Sequence, residues 1–98
     1  MIVVRDRFQL KFGKAKEAKE TLKDIKKIMN DMKMKPGKAM TDITGRSYTL
    51  VLEMEFESLS EYEKISGTAF GNKDWQDWYK KFVPLVESSD REIFTIVD

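Results

Sequence analysis

Arg5 and Arg7 stand two residues apart, and so do Glu53 and Glu55. In an extended chain that spacing puts both members on the same side. Two arginines so placed could bind an anionic ligand. Two carboxylates, with Asp42 nearby, could hold Mg²⁺ or Ca²⁺ through oxygen. Arginines and glutamates on neighbouring strands also pair with each other, and such structural pairs imitate functional sites. Pairing of Arg5 and Arg7 with Glu53 and Glu55 is therefore the favoured expectation. No loop of calcium-binding spacing accompanies the acids, so no metal is expected. The chain has no histidine and no cysteine. The commonest metal ligand, the commonest general base near neutral pH and all thiolate chemistry are thus missing. No phosphate loop, dinucleotide fingerprint or nucleophile elbow is present either, and no cofactor is expected.

Aromatic residues form the second group with chemical potential. Trp75, Trp78, Tyr79 and Phe82 fall at i, i+3, i+4 and i+7, one stripe of a helix. Such a stripe is core first and ligand contact second; Phe82 and Trp78 read as core, Trp75 less strictly so.

These residues need elements to position them. Residues 2–12 alternate, with Ile2, Val4, Phe8, Leu10 and Phe12 on one parity and Arg5, Arg7 and Gln9 on the other. This predicts a strand, which only Asp6 interrupts. From Lys14 the period turns helical through Ala15, Ala18, Leu22, Ile25, Ile28, Met29 and Met32, and the helix should stop before Pro36-Gly37. Lys38 to Thr44 predicts a weak strand, Thr44 to Ser47 a turn, and residues 47–57 a strong strand. Tyr48, Leu50, Leu52, Met54 and Phe56 share one face of the latter. Ser60 and Glu63 suggest a capping box for a short helix to about Ala69, interrupted by Gly67 and Gly71. A further helix starts near Asn72 or Asp74 and ends irregularly at Pro84. Residues 91–97 close the chain as a strand.

The order β-α-β-β-α-β predicts one α+β domain over residues 1–98, a ferredoxin-like fold with a four-stranded antiparallel sheet. Right-handed crossovers place the helices on one face, with the fourth, first, third and second strands side by side. The uncovered face then carries Arg5, Arg7 and Gln9 beside Thr49, Val51, Glu53 and Glu55, too charged for a dry core. The two central strands offer no exposed aromatic there for stacking RNA bases. The first strand-to-helix junction, Lys11-Phe12-Gly13-Lys14, has one glycine and no arginine, so it does not match an acylphosphatase phosphate cradle.

Net charge is +1 over 98 residues, but it is unevenly spread. Residues 11–38 hold ten lysines against four acids, whereas residues 39–98 hold twelve acids against six basic residues. The interspersed acids mark the first helix as a solvated face rather than a nucleic-acid surface. The apolar start Met1–Val4 is cut short by Arg5-Asp6-Arg7, shorter than a secretory leader needs. The expectation is a cytoplasmic protein with no membrane contact.

Two stretches carry a family resemblance. Phe56-Glu57-Ser58-Leu59-Ser60-Glu61-Tyr62-Glu63 resembles the strand-to-helix passage of the dimeric α+β barrel superfamily, which includes antibiotic-biosynthesis-monooxygenase-like and NIPSNAP-like domains. Asp74-Trp75-Gln76-Asp77-Trp78-Tyr79, then Phe82-Val83-Pro84 and a final strand, is similar to the same group. The resemblance implies a homodimer whose sheets face each other as a barrel. Haem-degrading members of that group use a histidine ligand, which this chain lacks. Cofactor-free oxygenases of the group use a pocket between sheet and helices, which Tyr48, Tyr62, Trp75 and Trp78 could line here. Two expectations follow. The first is a small-molecule-binding or interaction domain, with Arg5, Arg7, Tyr48, Tyr62 and Trp75 as candidate ligand contacts. The second is a cofactor-independent monooxygenase acting on a small aromatic or hydrophobic substrate.

Overall fold

The computed structural model describes residues 1–35 and 37–98. In chain order the elements are β1 (Ile2–Leu10), α1 (Ala15–Asp31), β2 (Lys38–Thr41), β3 (Thr49–Phe56), α2 (Leu59–Phe70), α3 (Lys73–Phe82), a 3₁₀ turn (Val83–Leu85) and β4 (Val86–Thr95). The strands form one open sheet in the order β2-β3-β1-β4. All pairs are antiparallel. The ferredoxin-like arrangement expected from the element order is the one observed.

Alternation drives the two central strands. β1 and β3 run from Ile2 opposite Phe56 to Gln9 opposite Thr49. Ile2, Val4, Leu10, Leu50 and Phe56 are buried on the helix-covered face. A one-residue slip would turn every one of them towards solvent, so burial itself specifies the register.

The core lies in two parts. The larger joins Leu10 and Leu50 to Ala18 and Ile25 of α1, Trp78 and Phe82 of α3, and Leu85. Phe82 stacks on Trp78 with ring centroids 4.8 Å apart and meets Phe8 edge-on at 5.0 Å. The indole N–H of Trp78 donates to the Thr21 carbonyl oxygen at 2.8 Å. A buried donor is thereby satisfied and α3 is tied to α1. The smaller part gathers Ile2, Val4 and Phe56 beneath Tyr62 and Ile65 of α2.

Local structure departs from the sequence expectations at several points. β1 ends at Leu10, not residue 12, and Phe12 is 89% exposed. Gly13, at φ +81°, turns the chain there, and Phe12 rests against the Tyr48 ring. The α1 helix stops at Asp31 because Lys33 adopts a left-handed conformation at φ +59°. Lys33 N–H then donates to the Asn30 carbonyl and Met34 N–H to the Met29 carbonyl, a Schellman motif with lysine where glycine is usual. Pro36, half of the expected breaker pair, lies outside the described residues. Gly37 passes β3 so closely that a Cβ there would collide with the Glu53 carbonyl oxygen.

β2 is short, and the hairpin loop is longer than a four-residue turn. Asp42 Oδ1 accepts from Thr49 N–H at 3.0 Å, and Gly45 takes φ +89°. Tyr48 sits before β3 at φ +61° rather than within it. Ser58, not Ser60, caps α2 by accepting from Glu61 N–H at 3.2 Å, while the Glu61 carboxylate accepts from Glu57 N–H at 2.7 Å. Glu61 is the acid that can reach back, so the cap moves two residues earlier. Gly67 lies inside α2, and only Gly71 ends it. The start of α3 falls at the first of the two expected positions, where Asn72 caps the helix, its Oδ1 accepting from Trp75 N–H.

Replacing Leu50 with alanine should cost about 3 kcal/mol, because a fully buried side chain leaves a cavity. Phe12→Ala should cost less than about 1 kcal/mol, the scale of one exposed aromatic contact. Urea denaturation of both variants checks the pair, and equal losses would contradict the placement of Phe12.

Candidate functional site

Helices leave one face of the sheet open, and the strand registers set its side chains in rows. Residues directly opposite in an antiparallel pair share a face. One row reads Glu92, Arg5, Glu53 and Lys38 across β4, β1, β3 and β2. Its signs alternate from strand to strand. The next row is Asp90, Arg7, Val51 and Met40, followed by Ser88, Gln9 and Thr49. On the other side stand Phe94, Val3 and Glu55.

Arg5 is the best-anchored member. Its Nη2 and Nε lie 2.9 and 3.0 Å from the same Glu53 carboxylate oxygen, and its guanidinium stands 5.5 Å from the centre of the Phe94 ring. Arg7 does not pair with Glu55. The register sets Glu55 opposite Val3, and Arg7 instead reaches Glu92 on β4 at 3.8 Å. Gln9 donates to the Ser47 carbonyl at 2.8 Å and braces the hairpin loop.

A cavity of about 450 Å³ opens on this face between Arg7, Met40, Asp42, Arg46, Thr49 and Asp90. Its walls offer both charge signs and several hydroxyls. That chemistry suits a small polar ligand with complementary groups rather than a bare ion. Among the described residues no three acids gather as a metal site.

The remaining candidates lie elsewhere. Tyr48 packs against the larger core part at one end of the sheet. Tyr62 on α2 meets the Phe56 ring with centroids 5.1 Å apart. Trp75 on α3 stacks on Tyr79 at 4.9 Å and leans on Phe70 at 5.0 Å. The fold therefore groups Arg5 with Arg7, while Tyr48 and Trp75 pack against the larger core part and Tyr62 against the smaller. Trp78 and Phe82 are core, as their spacing suggests.

Asp6, the parity breaker of β1, points to the helical side and finds Arg91 opposite it on β4. The Arg91 guanidinium also lies over the Tyr62 ring, 5.8 Å from its centre. The hydrogen bond from Arg91 to Asp6 holds the guanidinium above its ordinary value, against partial burial, which pulls the other way.

Sequence reasoning missed Asp90, Ser88 and Arg46 as cavity residues. Residues 86–90 are polar apart from Val86 and show no strand period, so only their pairing with β1 reveals them.

A four-stranded antiparallel sheet with its helices on one face and a charged, partly apolar open face defines a ferredoxin-like α+β domain. Its likeness extends to monooxygenase-type folds: a candidate antibiotic biosynthesis monooxygenase from Nitrosomonas europaea superposes with a TM-score of 0.76 at 11% identity, covering 100% of both chains. The NIPSNAP family model matches residues 5–98, and the chain belongs to the NIPSNAP family. A NIPSNAP family protein from Agrobacterium tumefaciens superposes with a TM-score of 0.90 at 17% identity, covering 99% of this chain and 86% of the other. A NIPSNAP domain protein from Burkholderia xenovorans gives 0.87 at 15% identity, covering 99% and 95%. No curated protein matches the chain.

The row geometry makes a measurable distinction. A double-mutant cycle on Arg5 and Glu53 should give a coupling of about 0.5–1 kcal/mol that shrinks with salt. Arg7 and Glu92, longer and more exposed, should couple by less than about 0.3 kcal/mol. Stability measurements at low and high salt test both, and a stronger Arg7 pair would contradict the observed ranking.

Proposed function

We propose that two copies of the chain close on each other through their open sheet faces, and that the enclosed space binds a small polar ligand. The single observation carrying this reading is the mixed character of that face. Phe94 and Met40 are 44% and 40% exposed, and Val3 and Val51 are only half covered, among rows of ionised groups. A purely solvated face has no use for such apolar area. A purely dry interface would strand the charges.

Alternating signs suit a twofold arrangement. In an isologous contact the same patch meets itself, so each cation needs an anion at a symmetry-related position. A row that reads negative, positive, negative, positive supplies both. The cavity beside Arg7 and Asp90 opens on the same face, and a second copy laid over it would exclude water and strengthen polar contacts to a ligand.

The binding role is preferred to the monooxygenase alternative. Trp78 has its N–H committed to the backbone and its ring packed in the core. Tyr62 lies over the smaller core part and Tyr48 and Trp75 over the larger, so one pocket lined by all three does not form. No helix of the described residues is long and apolar enough to cross a membrane. A cytoplasmic location completes the reading, in keeping with a chain free of cysteine.

Light scattering at micromolar concentration should return twice the chain mass of 11.5 kDa. Arg5→Glu should weaken self-association by at least about tenfold, a change of about 1.4 kcal/mol. Lys19→Glu, on the exposed side of α1, should leave the mass unchanged. A wild-type monomer would sink the proposal.

A further inference from the structure

The helices cover the sheet unevenly. Leu50 and Phe56 at the two ends of β3 are buried, but Leu52 and Met54 between them are only half covered. Ala39 of β2 stands opposite Leu52, on the helical side, and is exposed. The α1 helix packs against α3 and, through Ala18 and Ile25, against Leu10 and Leu50. A groove of about 840 Å³ results between α1 and the β2–β3 edge. Its volume lies in the range of small-molecule sites, roughly 300–1,000 Å³.

Two kinds of residue line it. The apolar surface comes from Leu22, Met29, Met34, Ala39, Leu52 and Met54. Methionine is unbranched and adaptable, and three of them in one groove suit a flexible chain better than a rigid ring system. The Schellman motif ending α1 turns the backbone back so that Met34 donates to the Met29 carbonyl, which sets these two at one end of the groove. The charged side chains of the helical side that line it are Lys23, Lys26 and Lys27 of α1, and no carboxylate lines the groove among the described residues. One sign of charge beside a low-dielectric wall raises the local concentration of the opposite ion. Phosphate alone would ignore the apolar part, and a neutral lipid would ignore the lysines. The groove is concave, which fits one inserted chain and not the flat surface of a bilayer.

We propose that this groove binds a single-chain anionic amphiphile, a fatty carboxylate with its chain along the methionines and its head group at the lysines of α1. The site lies on the helical side, away from the open face, and does not depend on self-association.

The test uses the whole protein with ¹³C-methyl-labelled methionine and dodecanoate below its aggregation concentration. Met29, Met34 and Met54 resonances should move together and saturate, while Met1 and Met40 stay in place. Dodecyltrimethylammonium, with the same chain and opposite charge, should bind at least about tenfold more weakly. Ala39→Trp, at an exposed position, should fill the groove and abolish the shifts while leaving the light-scattering mass unchanged. Lys26→Glu with Lys27→Glu should reduce dodecanoate affinity at least about fivefold. Equal binding of the cationic probe would overturn the anionic assignment. Shifts confined to Met40 would move the site to the open face, and no shift at all would end the proposal. Binding to anionic vesicles but not to monomeric dodecanoate would replace it with a membrane surface.

Discussion

Everything in this structure follows from the pairing of β1 with β3. Those two strands carry alternation strong enough to give the sheet a helical side and an open side. Once Ile2 faces the side of Phe56, and Phe8 that of Leu50, the positions of Arg5, Arg7, Glu53 and Val51 on the opposite face are no longer free. The hydrophobic effect therefore places the charges. No separate interaction is needed to bring Arg5 to Glu53; burial on one side of the strand does it.

The helical side is held by fewer, larger contacts. Phe82 lies between Trp78 and Phe8, and Trp78 reaches across to the backbone of α1. Aromatic burial and one satisfied indole donor together fix how α3 sits against α1. The Asp6–Arg91 pair separates the two core parts and is tolerated because each charge has its partner and Tyr62 covers the guanidinium. This arrangement leaves α1 lying to one side of the sheet, and the uncovered strip beside it is a by-product of that packing.

Where periodicity was strong, the sequence was legible. β1, β3 and the α1 stripe can be read directly, and with the right-handed crossover rule they yield the strand order. Half of the charged row can be read too, because Arg5 and Glu53 lie on strands that alternate. The partner of Arg7 cannot, since it depends on β4 and its register. Val86-Glu87-Ser88-Ser89-Asp90 has no alternation to announce a strand; it becomes one because β1 offers a row of unpaired backbone groups. The α2 cap was misplaced because both Ser58 and Ser60 are chemically suitable, and only the reach of Glu61 decides between them. Phe12 has the right parity but follows the last residue with a core to enter. The groove beside α1 is invisible in sequence because it depends on where a helix rests, not on which of its faces is apolar.

The polar stretch that conceals β4 from sequence reading has another consequence. β4 is one of the two edge strands, ten residues long, and its free backbone edge is a template for any extended chain that meets it. An apolar strand of that length would invite sheets to grow edge to edge. Glu87, Asp90, Arg91 and Glu92, with Ser88 and Ser89, make such growth costly by demanding that charges be stripped of water at each added layer. The sequence gives up a recognisable strand pattern there and gains resistance to fibrous aggregation.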